Sequence, residues 1–240
     1  MLFDQMKGYP TGFRIFTNAT YNVQRAALAL GIDPTLSPLD ALKAWMAERE
    51  GLELRKPVQV HNADFLKKSD VGDAVDLSKF PVPHWHLKDG GPYIGSGSLV
   101  IIRDPDVGWI NASIYRVQVH ARNKVTIQFD HQGRHGAIIA KKYWEQGKRC
   151  PVAVINGEDP ALFIAGFEYL PEGPVGVWIL QAPSKARRWR FIPDWRPDCR
   201  SRCILKIVLQ GELPLDVTCQ KGLLGSFPAI MHPRRGCHRR

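Results

Sequence analysis

Apolar and polar residues alternate through the middle of the chain. Ala112, Ile114 and Val117 are apolar, while Asn111, Ser113, Arg116 and Gln118 are polar. Such a period of two predicts a strand with one buried face. The other face would carry an amide, a hydroxyl and a guanidinium. Similar patterns predict strands over Ser98–Arg103, Asn111–His120 and Lys124–Phe129, the last two forming an antiparallel pair turned at Ala121-Arg122-Asn123. The short apolar run Pro151–Asn156 and the segment 57–60 also read as strands.

Helical periods surround this region. Asn18-Ala19-Thr20 can cap a helix through Val23, Ala26, Leu28 and Leu30 that stops at Gly31. Ser37 and Pro38 open a second helix, with Leu39, Leu42, Trp45 and Met46 on one face and an end near Gly51. Ala137–Gln146 is a third, and Asp159-Pro160 begins a fourth through Leu162, Phe163 and Ala165. Phe80–Gly97, rich in Pro and Gly, reads as an ordered irregular loop.

Composition adds a division along the chain. The 44% hydrophobic share is that of a globular protein. No apolar run reaches the ~20 residues needed to cross a bilayer, and the first residues lack the order of a signal peptide. A cytoplasmic protein without a membrane span is therefore expected. The net charge of +10 invites a nucleic-acid hypothesis. However, from Pro174 onward there are 13 Lys+Arg against 4 Asp+Glu, and the first 173 residues are nearly balanced at 20 against 19. The basic excess thus belongs to the tail, and nucleic acid is not the expected partner. Cys199, Cys203, Cys219 and Cys237 also lie there, at spacings that fit no tight zinc knuckle. His84 and His86 read as packing residues. The Arg187-Arg188-Trp189-Arg190 cluster could stack on RNA bases if the tail were a binding module.

The run Asn111-x-Ser113-Ile114-Tyr115-Arg116, the later Arg134-His135-Gly136, and Pro151–Gly157 followed by Asp159-Pro160 resemble the UbiD family of prenylated-FMN-dependent decarboxylases. The resemblance runs from Phe3 to Gly173 and includes Phe80–His86 and Lys88–Tyr93. It implies an α+β fold, with an N-terminal α/β segment followed by a split β-barrel flavin-binding domain flanked by helices. The expected division is residues 1–95 for the N-terminal segment and 96–173 for the barrel. Residues 174–203 form a divergent basic segment, and 204–240 hold a remnant of the family's active-site strand in a chain expected to be truncated.

Site roles follow from the same resemblance. Asn111, Ser113, Ile114, Tyr115, Arg116, Gln128, Phe129, Asp130, Arg134 and His135 would contact prenylated FMN. Asn111 and His135 would hold Mn²⁺ or Mg²⁺, with His131 as a rival to His135 and K⁺ as a further candidate ion. Arg116 would be catalytic: its guanidinium stays charged and can hold a substrate carboxylate in a fixed fork. The implied partners are an aromatic or α,β-unsaturated carboxylic acid, a flavin prenyltransferase supplying the cofactor, and further copies of the chain in a homo-oligomer.

The chain departs from the family in two places. The metal-binding glutamate expected after Leu170-Pro171-Glu172-Gly173 is absent, and no acid follows until Asp194. The acids of the family's E-G-P-F-G-E motif, which form a Glu–Arg–Glu network, are replaced by Lys221 and Ser226. A compensated change of reading frame, or an equally drastic divergence, between Gly173 and Ile204 would account for the tail. These departures predict an impaired enzyme. The alternatives are a non-catalytic flavin- or partner-binding remnant, or a nucleic-acid binder acting through the tail.

Overall fold

The computed structural model describes residues 1–10, 12–50, 58–59, 69–129, 132–168, 190–192, 196–197, 207–215 and 228–233. The N-terminal part pairs β1 (Leu2–Phe3) with β2 (Ile15–Phe16) and continues into α1 (Val23–Leu30) and α2 (Pro38–Glu50). Asn22 caps α1 rather than the Asn18–Thr20 segment. Asn22 is extended and its side chain accepts from Arg25 N at 2.9 Å, whereas Asn18 sits at φ 56 and offers only its carbonyl to Arg25. Gly31, at φ 77, closes the helix in the left-handed region. Ser37 caps α2 as its sequence predicts, accepting from Asp40 N and donating to the Asp40 carboxylate. The face expected to be buried on α2 differs: Ala41 is buried, and Leu39, Leu42 and Met46 are exposed.

The short β3 (Val58–Gln59) is followed, after two single 3₁₀ turns, by β4 (Tyr93–Arg103), β5 (Ile110–Ala121) and β6 (Lys124–Gln128). β4 begins five residues earlier than Ser98, so Tyr93–Gly97 is strand rather than loop. The register slips between Tyr93 and Ser98 let the glycines there bend it. Next come α3 (His135–Glu145), β7 (Cys150–Asn156) and α4 (Pro160–Ala165), the last capped by Asp159 as predicted. Short strands β8 (Arg190–Ile192) and β9 (Arg196–Pro197) form a small sheet with β3, in which β8 pairs with β3 and β9 with β8. β10 (Ile207–Leu213) and β11 (Pro228–Pro233) complete the chain's described elements.

Six strands close into an antiparallel barrel in the order β10-β11-β6-β5-β4-β7. The strands from beyond residue 204 are therefore structural staves of the barrel: β10 pairs with β7 along its whole length, and β11 pairs with β6. One apolar cluster draws Val100, Ile102, Tyr115, Val117, Val125, Ile127, Phe129, Val152, Val154 and Leu213 from five of the six strands, together with Ile139 and Ala140 of α3. A cluster shared by that many strands is the barrel's interior, with α3 across one end. A second cluster of Leu99, Ile101, Ala112, Ile114, Ala153 and Ile155 lies on the outer wall under Leu162 and Ala165 of α4. α4 in turn packs on α1 through Ala161, Ala27 and Leu30.

An ion pair fastens α3 to the turn after β4. Lys142 Nζ lies 2.6 Å from the buried Asp104 carboxylate, whose other oxygen accepts from the backbone of Asp106 and Val107. Burial pushes the Asp104 carboxyl up, but the Lys142 ammonium and the two N–H groups outweigh it and hold it below its ordinary value. This anchor ties the last turn of α3 to the turn after β4.

Candidate functional site

The strand pleat divides the residues that sequence alone placed on one polar face. Cross-strand partners share a face, and Asn111, Ser113 and Tyr115 pair with Ile102, Val100 and Ser98. Val100 and Ile102 belong to the interior, so Asn111 and Ser113 point inward alongside Tyr115. Ala112 and Ile114 pair with Ile101 and Leu99 and face outward, and Arg116 follows them. Asn111 and Arg116, an odd number of residues apart on a regular strand, thus lie on opposite faces. The expectation of a single polar face is corrected. Alternation by residue class breaks phase between Ile114 and Val117, because both faces of this strand are largely buried.

Ahead of Arg116 one edge of β5 has no partner strand among the described residues. β6 pairs with β5 only from Arg116 onward, with Arg116 opposite Gln128. Before that point other groups occupy the edge. Ile114 N donates to Gly166 O at 3.2 Å, at the end of α4, and Arg134 Nη2 donates to Ile114 O at 3.2 Å, just ahead of α3. A Cβ on Gly166 would stand 2.8 Å from Ile114 Cγ1, so glycine is what allows α4 to approach this closely.

Behind this edge lies a small polar group within the barrel's end. Asn111 is 3% exposed, and its Oδ1 accepts from Ser113 Oγ at 3.2 Å. Its Nδ2 is buried with no hydrogen-bond partner. Turning the amide over would exchange these roles and free Oδ1, the hard oxygen a divalent cation prefers. Tyr115 Oη accepts from Gly136 N at the start of α3, and the Arg134 guanidinium stands 4.9 Å over the Tyr115 ring. His135, the first residue of α3, meets the Trp109 ring edge-on at 4.9 Å. Phe129, expected to touch a cofactor, is instead interior core at 1% exposure, edge-on to Tyr115 at 5.0 Å. In front of the edge, Arg116 is exposed and Gln128 is buried beside it. Asp130 and His131 lie outside the described residues, as do Glu172, Asp194, Lys221 and Ser226.

Sequence reading missed two groups. Trp109 continues the inward alternation two residues before Asn111; its buried Nε1 has no partner, and the i, i+2 spacing was the available signal. Glu158 follows β7, and burial pushes its carboxyl up to about 7. One of its oxygens, Oε1, is buried with no hydrogen-bond partner. No sequence pattern marks it, because the shift comes from what covers it. Folding raises this group's affinity for a proton, so its stabilising protonated form prevails below the unfolded value of about 4.3. Stability is then lost as pH rises through about 7. Glu158→Gln should therefore be the more stable chain at pH 8, by on the order of 1–3 kcal/mol, and should match wild type near pH 4. Urea unfolding at the two pH values measures this. Equal midpoints at pH 8 would show the carboxylate to be solvated.

Comparison with known proteins identifies the family. The model of the UbiD 3-octaprenyl-4-hydroxybenzoate carboxy-lyase Rift-related domain matches residues 56–177, about half of the chain. This chain belongs to the UbiD family. It is 30% identical over 234 residues to pyrrole-2-carboxylic acid decarboxylase of Pseudomonas aeruginosa, covering 94% of this chain and 45% of that protein. It is 29% identical over 244 residues to ferulic acid decarboxylase 1 of Candida dubliniensis, covering 95% and 44%. The chain thus spans less than half the length of these curated relatives. Solved structures share the fold. An evolved dimeric form of the UbiD-class enzyme HmfF from Pelotomaculum thermopropionicum, in complex with prFMN, superposes with a TM-score of 0.74 at 23% identity, covering 97% of this chain and 56% of that one. The apo 3,4-dihydroxybenzoic acid decarboxylase of Enterobacter cloacae gives 0.75 at 23% identity, covering 98% and 51%.

The site's donors that suit the phosphate end of a flavin are the Ser113 hydroxyl and the Arg134 guanidinium. A metal is less completely provided for. Among the described residues no three His, Cys, Asp or Glu side chains gather to hold one. The Asn111 amide and the His135 imidazole are the donors present. Among the same residues no helix is long and apolar enough to cross a membrane.

Proposed function

We propose that this chain serves a UbiD-type reaction, the release of CO₂ from an aromatic or α,β-unsaturated carboxylic acid with prenylated FMN as cofactor. The observation that carries this reading is the β5 edge that β6 leaves without a partner strand ahead of Arg116. It has Asn111 and Ser113 behind it, Ile114 and Arg116 before it, and Arg134 and His135 beside it. Prenylated FMN, when bound, supplies the electron sink for the carbanion left as CO₂ departs. Asn111, Ser113, Arg134 and His135 would bind its phosphate end, with Asn111 and His135 also the ligands toward Mn²⁺ or Mg²⁺, and K⁺ a further candidate. Ile114, Tyr115 and Gln128 would shape the pocket, Phe129 would brace Tyr115 from the core, and Asp130, by resemblance alone, is a further cofactor-binding residue. Arg116 would hold the substrate carboxylate in a two-pronged grip.

The reaction also requires a proton at the carbon that loses CO₂, delivered by an acid of matched pKa. Lys221 and Ser226 stand where the family has glutamates, so this step is the impaired one. A flavin prenyltransferase would supply the cofactor, copies of this chain would associate, and the site of action would be the cytoplasm. Co-expression with a flavin prenyltransferase tests the reading. The purified chain should show prenyl-flavin absorption and release little CO₂ from aromatic acids. A chain that purifies without flavin and binds none on titration would refute it.

A further inference from the structure

The run Lys88-Asp89-Gly90-Gly91-Pro92-Tyr93 has no role in the reading above, yet it lies against the face of β5 that carries Arg116. Val119 N donates to Pro92 O at 2.8 Å, and a Cβ on Gly91 would stand 2.6 Å from Gln118 Nε2, so the run is pressed onto the strand. Tyr93 pairs with Gln118, which puts its ring on the outer face with Gln118 and Arg116. Arg116 is two residues along β5 from that partner, a diagonal within reach of an aromatic ring and a long side chain. Gln128 of β6 faces Arg116 from the other side. Tyr93 is buried, and its hydroxyl lies in the field of two opposite charges. Burial and then the Asp89 carboxylate push the hydroxyl up, against the opposing pull of the Arg116 guanidinium, so the phenol stays a neutral donor at neutral pH. Asp89 is itself held in place. Its Oδ2 accepts from His86 N, its N donates to His86 O, and its carbonyl accepts from His84 Nε2, each at 3.0 Å.

We infer that Tyr93 and Asp89 are positioning residues for Arg116, the carboxylate supplying counter-charge and the phenol the spacer between them. They give this chain an acid near the arginine where Lys221 and Ser226 replace the family's glutamates. The inference rests on the proposed function for what the guanidinium fork grips. The pair orients that fork and passes no proton to carbon, so the protonation step stays impaired.

Arg116 can be observed without any ligand. In the full chain labelled with ¹⁵N-arginine, with its signal assigned by Arg116→Ala, the Nε–Hε order parameter should be near the rigid value of about 0.85. It should fall below about 0.6 in Tyr93→Phe and in Asp89→Asn. Phenylalanine removes only the hydroxyl, and asparagine keeps an oxygen for His86 N, so both variants should melt at the wild-type temperature. Calorimetry should show benzoate binding about tenfold more weakly to either variant, within the range for coupled neighbours. Benzamide, which lacks the carboxylate, should bind unchanged. Charge alone predicts the opposite sign, since removing Asp89 would tighten an anion. Screening keeps that gain smaller than the rotamer freedom an unbraced arginine loses on binding. In an Arg116→Ala background the same two substitutions should change benzoate affinity no further. An Arg116 signal equally mobile in wild type and variants would overturn the inference while leaving the proposed function standing. So would a tenfold loss that persists without Arg116. A wild-type chain that binds no flavin would remove the proposed function, and the arginine signal would still decide whether the brace exists.

Discussion

Replacing Lys221 and Ser226 together by glutamate should raise CO₂ release by about 10²–10⁴-fold, the range of a positioned general acid. The measurement is CO₂ evolution from an aromatic acid by chain co-expressed with a flavin prenyltransferase, variant against wild type. A lysine brought near Arg116 repels it instead of pairing, and a serine hydroxyl is far too weak an acid to protonate carbon at neutral pH. Both positions align with the family's acidic motif and lie outside the described residues. Single replacements should each recover less than the pair, since the arginine is held from two sides in that network. A double variant that binds flavin and evolves no more CO₂ than wild type would place the defect elsewhere.

Phe129→Ala should cost about 3–5 kcal/mol of stability, read as a lowered urea midpoint at unchanged slope. Phe129 is fully enclosed and stands edge-on to Tyr115. It also presses on the start of α3: a Cβ added to Gly136 would lie 2.7 Å from Phe129 Cε1. Truncation opens a cavity and loosens Tyr115, whose hydroxyl holds Gly136 N. His135 should shift with the helix start, so FMN affinity should fall as well. Phe129→Leu should lose less than half as much stability. If Phe129 acted purely as a cofactor contact, the midpoint without flavin would not move.

Much of the architecture was legible because its rules are local. The Ser98–Arg103 and Lys124–Phe129 runs alternate or stay apolar over a few residues, and both became strands. Asp159-Pro160 and Ser37-Pro38 carry their own capping chemistry, and both helices start there. The α1 cap was misplaced because two asparagines compete four residues apart, and only backbone conformation distinguishes Asn22 from Asn18. The single polar face expected of β5 did not survive folding. Asn111, Ser113, Ile114 and Arg116 do gather at one strand edge, but from both of its faces.

By itself, the sequence determined the family, the extended and helical segments, and the reactive side chains brought to the middle of the chain. Periodicity and capping act between near neighbours, so they can be read in order along the chain. The tertiary structure alone decided which side of β5 looks inward. That depends on closure of the barrel by β10 and β11, contributed from far downstream. It also decided which polar groups are sealed away, Trp109 Nε1 and Glu158 Oε1 among them. An unpaired indole N–H and a carboxyl pushed up by burial are properties of what surrounds a group, and those surroundings exist only once the strands have met.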